Sequence, residues 1–343
     1  MEQLLRYSVG VDVGESKLVC CFSQIDSQQN VQVRATRSFD NRPGGFVELA
    51  QWVARHQKEK DIPLSVVMEA TGIYYEAAAM YLHKKKYRIS VLLPNKARKY
   101  MQGIGLKSKN DRIDAKGLAQ MGLEQLLSTW QPCCPGMYEL KTLTRHHERL
   151  QQMRAELGNQ LHAHRRMASP SKAVVNQLTS LIKTLDKQML KLVAAIKSCL
   201  DKDPEIKAKI NLIVEIKGFG LLSACVLVAE ANGFELFKSA RQLTSYAGYD
   251  VVENQSGKHV GKTKISKQGN GHIRRILFMP AFNVVRLGVE PFAGTYQRIF
   301  DKTGVKMKAY VAIQRKLLVL VYTLYKNGVA FEVRENKAEK AAA

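Results

Sequence analysis

The order of residue patterns between Tyr7 and about Leu126 constrains the fold more than any other feature: three β-rich runs in succession, then helix and strand in alternation. Residues 8–12, 17–23 and 31–38 are short apolar runs separated by polar turns, which predicts three consecutive strands in a hairpin meander. Residues 46–56 have helical spacing, 65–68 read as a buried strand, 74–84 as a helix and 89–93 as another strand. A meander followed by alternating elements implies a mixed sheet with helices packed on it, an α/β domain. After the basic segment 96–109, residues 111–126 again have helical spacing, and Gln131-Pro132-Cys133-Cys134-Pro135-Gly136 breaks the pattern. A first domain over 1–130 is expected.

Beyond the break the character changes. Leu143, Leu150 and Leu157 recur every seven residues, a turn signal follows at 168–171, and a second heptad series runs through Leu178, Leu185, Leu192 and Cys199 with Ile182, Met189 and Ile196 between. Residues 131–205 are therefore expected to be a helical hairpin or coiled coil, joining either two stretches of one chain or two copies. Residues 206–333 read as a compact, mainly helical domain, and 334–343 as a polar, disordered tail. The longest apolar run, 317–325, lies between Lys316 and Lys326 and is shorter than the roughly 20 residues of a spanning helix. It reads as a buried helix.

The six cysteines, in two adjacent pairs and two singles, form neither CxxC motifs nor a disulfide framework, which suits a reducing compartment. The start of the chain lacks a basic region followed by an apolar stretch and a cleavage site, so a cytoplasmic location is expected.

Charge narrows the partner. The chain carries 53 Lys and Arg against 30 Asp and Glu, a formal charge of +23. Such an excess is self-repulsive in a compact state and points to a polyanion, nucleic acid rather than a membrane. One basic group is Lys96, Arg98, Lys99, Lys107, Lys109 and Arg112. A second follows Glu253: no carboxylate occurs before Glu290, while Lys258, Lys262, Lys264, Lys267, Arg274 and Arg275 accumulate. Upstream, Ile216-Lys217-Gly218-Phe219-Gly220 has the pattern of a helix-hairpin-helix turn, in which Gly218 and Gly220 would let backbone amides approach a phosphate. The same glycines also serve an ordinary tight turn.

Within this basic chain four carboxylates stand apart. Asp12 ends the apolar run Val9-Gly10-Val11-Asp12, and Glu69 ends Val66-Val67-Met68-Glu69. Asp111 and Asp114, three apart at a helix start, project from one face. Hard oxygen ligands of this kind suit Mg2+ or Mn2+, and a pair of such ions can stabilise both the attacking and the leaving oxygen in phosphoryl displacement. Asp111 could equally cap its helix, and Asp114 could pair with Lys116. Gly10-Val11-Asp12-Val13-Gly14 also resembles the first phosphate loop of sugar kinases and actin-like ATPases, but further Gly-rich nucleotide loops are lacking. Ser256 lies in the polar loop Asn254-Gln255-Ser256-Gly257-Lys258-His259; taken alone it is a loop serine whose hydroxyl would need activation to act as a nucleophile.

Taken together, these residues resemble the DEDD transposases of insertion sequences, related to the pilin-gene invertase. The resemblance rests on Gly10-Val11-Asp12, Glu69-Ala70-Thr71-Gly72, Pro94-Asn95 and Lys109-Asn110-Asp111-Arg112-Ile113-Asp114-Ala115 in the first half. In the second half it rests on Gly218-Phe219-Gly220, Tyr246-Ala247-Gly248, Ser256-Gly257 and the block from Ser266-Lys267 through Arg274-Arg275 to Met279-Pro280-Ala281. It implies a RuvC-like, RNase H-like N-terminal domain and a mainly α transposase domain. It implies that Asp12, Glu69, Asp111 and Asp114 occupy the acidic metal positions and Ser256 that of a serine nucleophile. The implied reaction is Mg2+-dependent strand exchange through phosphoserine intermediates, guided by a noncoding RNA that pairs with donor and target double-stranded DNA. A homo-oligomer, dimer or tetramer, is implied too, in a bacterial or archaeal cytoplasm and associated with the nucleoid. A structure-selective nuclease of the Holliday junction resolvase type, using the carboxylates alone, is the alternative.

Overall fold

In the first part of the chain, alternation of apolar and polar residues builds a sheet with two unlike faces. β1 (Leu4–Val13), β2 (Lys17–Asp26) and β3 (Val31–Asp40) form the meander. α1 (Pro43–His56), β4 (Leu64–Glu69), α2 (Glu76–Lys84), β5 (Arg88–Leu92), α3 (Pro94–Gly103) and α4 (Asp111–Glu124) follow. The structure, a computed structural model, describes residues 3–106, 110–257, 259–261 and 263–331. Its two compact units are Met1–Pro132 and Cys133–Ala343.

The sheet order is β3-β2-β1-β4-β5. β1, β2 and β3 pair antiparallel because their connections are tight, as where Gly14 N donates to Lys17 O at 2.9 Å. β4 and β5 join parallel because helices carry the chain back across the sheet. The sheet is therefore mixed, with an antiparallel half and a parallel half. On one face Val9, Val11 and Leu18 pack on Phe46, Leu49 and Trp52 of α1 and Ala78, Ala79 and Leu82 of α2. The other face carries Gly10, Val67, Val19 and Cys21 and is covered by α4.

In the second unit α5 (Pro135–Arg165) and α6 (Lys172–Asp201) fold back on each other as a long hairpin. The heptad positions predicted such a hairpin but not what it rests on. Its base supplies Met137, Leu140, Ile196, Cys199 and Leu200 to one core with the C-terminal helices, so residues 131–205 are not a connector with a core of their own. Heptad spacing reveals an apolar face, not its partner. Farther along α6, Leu181 and Leu190 are exposed. α7 (Pro204–Val214), α8 (Leu221–Glu230) and α9 (Ala240–Tyr246) come next. Four two-residue strands follow: β6 (Val251–Val252), β7 (Gln255–Ser256), β8 (His259–Val260) and β9 (Lys264–Ile265). α10 (Gly271–Ile276), α11 (Phe278–Arg286), α12 (Phe292–Thr303) and α13 (Lys306–Asn327) complete the unit.

The long apolar run lies in α13, where Ile313, Leu317, Leu318 and Val321 are fully buried. Among the described residues no helix is long and apolar enough to cross a membrane. All six cysteines are free thiols. The tail at 334–343 lies outside the described residues.

Candidate active site and nucleic-acid interface

The acidic residues are placed by the way α4 lies on the sheet. Side chains of a strand alternate between faces, so Asp12 shares the face of Gly10, and Glu69 that of Val67. Val11 and Met68 are in register on the parallel strands β1 and β4. Asp12 and Glu69 are each the next residue, side by side at the C-terminal strand ends, on the face that α4 covers.

α4 sits against that face with its backbone nearly touching β1. A Cβ on Gly10 would lie 2.0 Å from Ala115 O and 2.3 Å from Ala119 N, and one on Gly122 would lie 2.3 Å from Ser8 Oγ. Ala115, Ala119 and Gly122 follow helical spacing, so the helix turns its smallest residues to the sheet and approaches where a larger side chain would hold it off. The cap fixes where the helix begins. Asn110 Oδ1 accepts from Ile113 N at 2.9 Å, so Asn110 caps the helix, and Asp111 and Asp114 stand in its first turn. The capping role open to Asp111 in the sequence is taken by its neighbour. A helix N-terminus also favours negative charge.

The four carboxylates feel one another. Burial first, then the charges of Asp111, Asp114 and Glu69, push the Asp12 carboxyl up to about 6, against a smaller opposing hydrogen bond from the Val13 backbone. Among the described residues no three His, Cys, Asp or Glu side chains meet as a ready metal-binding group. The two observations differ in range: coulombic coupling extends well past the roughly 2.0–2.6 Å of a metal–oxygen contact. The quartet is a concentrated negative field rather than a closed chelate. Its donor set, oxygen only with an excess of charge, fits a hard divalent cation.

Lys96, Arg98 and Lys99 lie on α3, and Arg112 lies in the first turn of α4; all four are exposed. Lys107 and Lys109 lie outside the described residues.

Ser256 belongs to the second unit. β7 and β8 pair as a hairpin with Ser256 opposite His259. Ser256 and Gly257 are exposed at its tip, where Gly257 has φ +56°. Lys264 and Lys267 are exposed nearby, while Lys258 and Lys262 lie outside the described residues. The remaining basic residues singled out in sequence have intramolecular partners. Arg274 donates to Ala247 O at 2.7 Å, and Arg275 pairs with Glu148, which also contacts His272 Nδ1. The two glycines before α8 differ: Gly218 O accepts from Asn283 Nδ2 at 3.3 Å, whereas Gly220 stands at the N-cap with open space around it.

Pattern reading missed Glu230, whose side chain is 1% exposed at the end of α8. Burial pushes its carboxyl up, but hydrogen bonds from Arg145 and Asn270 outweigh burial and hold it below the usual range. A lone acid closing the apolar run Leu221–Glu230 was the available signal. Asn110 and Asn270, both helix caps, were visible as the polar residue before a helical run.

Comparison with known proteins bears on both units. A family model described as Transposase matches residues 9–170, and one described as Transposase IS116/IS110/IS902 family matches residues 210–297. The chain is 28% identical over 331 residues to the pilin gene-inverting protein of Moraxella lacunata, covering 95% of this chain and 98% of that protein. The pilin gene-inverting protein of Moraxella bovis matches at the same identity and coverage. Among solved structures, T. thermophilus RuvC in complex with Holliday junction substrate aligns with 33% of this chain and 90% of its own, at 11% identity and a TM-score of 0.26.

Proposed function

The chain belongs to the IS116/IS110/IS902 family of transposases, and from that premise we propose that it is an RNA-guided DNA recombinase of an insertion sequence, with Ser256 as nucleophile. Asp12, Glu69, Asp111 and Asp114 would hold Mg2+, or Mn2+ in its place. The observation that carries this reading is the gathering of four carboxylates at one sheet edge in a chain of net charge +23. A basic protein that concentrates acids in one place resists its own electrostatics there, and a cation bridging protein and phosphate resolves the conflict.

The chemistry such an ion supplies is stabilisation of charge on the phosphate oxygens. The residues of the chain do the rest. Lys96, Arg98, Lys99 and Arg112, exposed beside the quartet on α3 and α4, hold the DNA backbone. The Ser256 hydroxyl attacks phosphorus; the Oγ–P bond forms as a P–O bond of the DNA strand breaks, and the strand leaves as a hydroxyl after taking up a proton. Because one phosphoester replaces another, no bond energy is lost to water. A DNA hydroxyl then attacks the phosphoserine and returns the proton to Ser256. The acidic site of one copy in a homo-oligomer, dimer or tetramer, acts with the serine of another. Sequence choice belongs to a noncoding RNA paired with donor and target double-stranded DNA.

The test uses a plasmid carrying the chain's own gene with its native flanks. Wild-type protein with Mg2+ is expected to give a protein–DNA adduct stable to denaturant, lost in both Asp12→Ala and Ser256→Ala. A Ser256→Ala protein that completes strand exchange overturns the serine mechanism and favours a junction-resolving nuclease. Purification without nuclease should bring down one defined small RNA; random cellular RNA counts against guidance.

A further inference from the structure

The hairpin that carries Ser256 leaves the helical body at Tyr246 and returns at Asn270, and the two ends of this excursion are tied together. Asn270 N donates to Tyr246 O at 2.7 Å, and Asn270 Nδ2 lies 3.3 Å from the Tyr246 hydroxyl, across 24 residues of sequence. The strands cross so closely that a Cβ on Gly269, at φ +150°, would lie 2.2 Å from Tyr246 O. Beneath this stem lies the buried Glu230, with both carboxylate oxygens engaged. Oε1 accepts from Arg145 Nε at 2.6 Å; Oε2 accepts from Arg145 Nη2 at 3.0 Å and from Asn270 Nδ2 at 2.7 Å.

We propose that Glu230, Asn270, Arg145 and Tyr246 form a clamp that sets the position of the Ser256 hydroxyl, acting as positioning residues for strand transfer. This rests on the reading of Ser256 as nucleophile. The desolvation cost of burying Glu230 offsets much of its attraction to the half-exposed Arg145, and in the clamp the role of the pair is to fix one arrangement. Here it fixes where a loop begins and ends. The constraint continues outward from the stem: Arg274 holds Ala247 O, Lys267 N donates to Gly248 O at 3.1 Å, and Ser266 N donates to Asp250 O at 2.8 Å. Val251 and Val252 then pair with Ile265 and Lys264, Gly261 N donates to Asn254 O at 2.7 Å, and Ser256 pairs with His259. α5 braces the same region twice from one face, through Arg145 and, three residues on, through Glu148 to His272 and Arg275 of α10.

Leverage makes the stem matter. Eight residues from Gly248 to Ser256, at roughly 3.3 Å each, put the hydroxyl up to about 25 Å from the clamp. A tilt of about 5° at the base then moves it by about 2 Å, where a misplacement of about 1 Å already costs on the order of 100-fold in rate.

Asn270 allows the clamp to be separated from folding. Its Oδ1 caps α10, accepting from His272 N at 2.9 Å and Ile273 N at 3.2 Å, while its Nδ2 reaches Glu230. Asn270→Asp keeps the cap and replaces the donor to Glu230 and the Tyr246 hydroxyl with a carboxylate, which sets two acids against each other at the stem. Full-length Asn270→Asp is expected to stay folded by circular dichroism with a lowered melting temperature, which the added Glu230→Gln restores, and to keep its affinity for the plasmid probe within about threefold. Serine–DNA adduct formation is expected to fall about 30-fold or more, and amide exchange to rise in residues 249–266 but not in α8 or α13. In Asn270→Asp with Glu230→Gln, the amide and carboxylate trade places, and about 10-fold of the rate should return. Adducts formed at the wild-type rate by Asn270→Asp, or a double variant no faster than the single, overturn the clamp while Ser256→Ala still loses all adducts. If Ser256→Ala matches wild type, the serine reading and the clamp fall together.

Discussion

Replacing Gly10 with alanine tests how the acidic site is held together. The added methyl carbon would sit 2.0 Å from Ala115 O, and ordinary contact begins at 3.4 Å, so α4 must retreat from β1 by about 1.4 Å. The atoms it meets, Ala115 O and the Ala119 N and Cα, are all helix backbone, which no rotamer change can move aside. Overpacking of this kind costs about 1–3 kcal/mol, or roughly 5–15 °C in the melting temperature of a unit this size. The same retreat carries Asp111 and Asp114 away from Asp12 and Glu69, and a displacement near 1 Å costs on the order of 100-fold in rate. Both tryptophans, Trp52 and Trp130, belong to the first unit, so urea unfolding followed by tryptophan fluorescence reports on that unit. Adduct formation over a range of Mg2+ concentrations reports the site. A Gly10→Ala protein with an unchanged urea midpoint and wild-type Mg2+ dependence would refute the claim that backbone contact between β1 and α4 sets the carboxylates.

Three further outcomes are expected. The Asp12 carboxyl, raised to about 6, lends stability that is complete below about 4 and lost as pH rises through 6. In EDTA the first unit should therefore be less stable at pH 7 than at pH 5, by about 0.5–1 kcal/mol after allowing for Asp12's partial exposure to solvent. Asp12→Asn should flatten this slope in urea titrations, and added Mg2+ should stabilise wild type but not the variant. Co-expressed Asp12→Ala and Ser256→Ala chains should recover strand exchange that neither has alone; a mixture as inactive as its components would place both halves of the site in one chain. Gly158→Ala, in the middle of α5 with nothing within 4 Å of the new Cβ, should stabilise the second unit by about 0.5–1 kcal/mol in thermal unfolding followed by circular dichroism.

Local pattern carried much of this protein. Alternation placed five strands and the helices between them within a few residues of where they lie, because a strand or helix with one buried face writes its period into the sequence. Asp12 and Glu69 were legible as acids closing apolar strands, and Asp111 with Asp114 as neighbours on one helical face. What pattern could not carry was pairing at a distance. Gly10 read as part of a loop motif, yet its role is set by Ala115 and Ala119 on a helix over a hundred residues later. Arg274 read as a basic residue for nucleic acid, with no sign in the sequence that it donates to Ala247 O, and the heptads of α5 and α6 did not disclose that their base belongs to the C-terminal core. Glu230, Arg145 and Asn270 meet across 85 and 40 residues. Sequence determined which faces are apolar and which residues can bear charge; only the tertiary structure decided which partners meet, because partner choice depends on the packing of whole elements and not on any period within one.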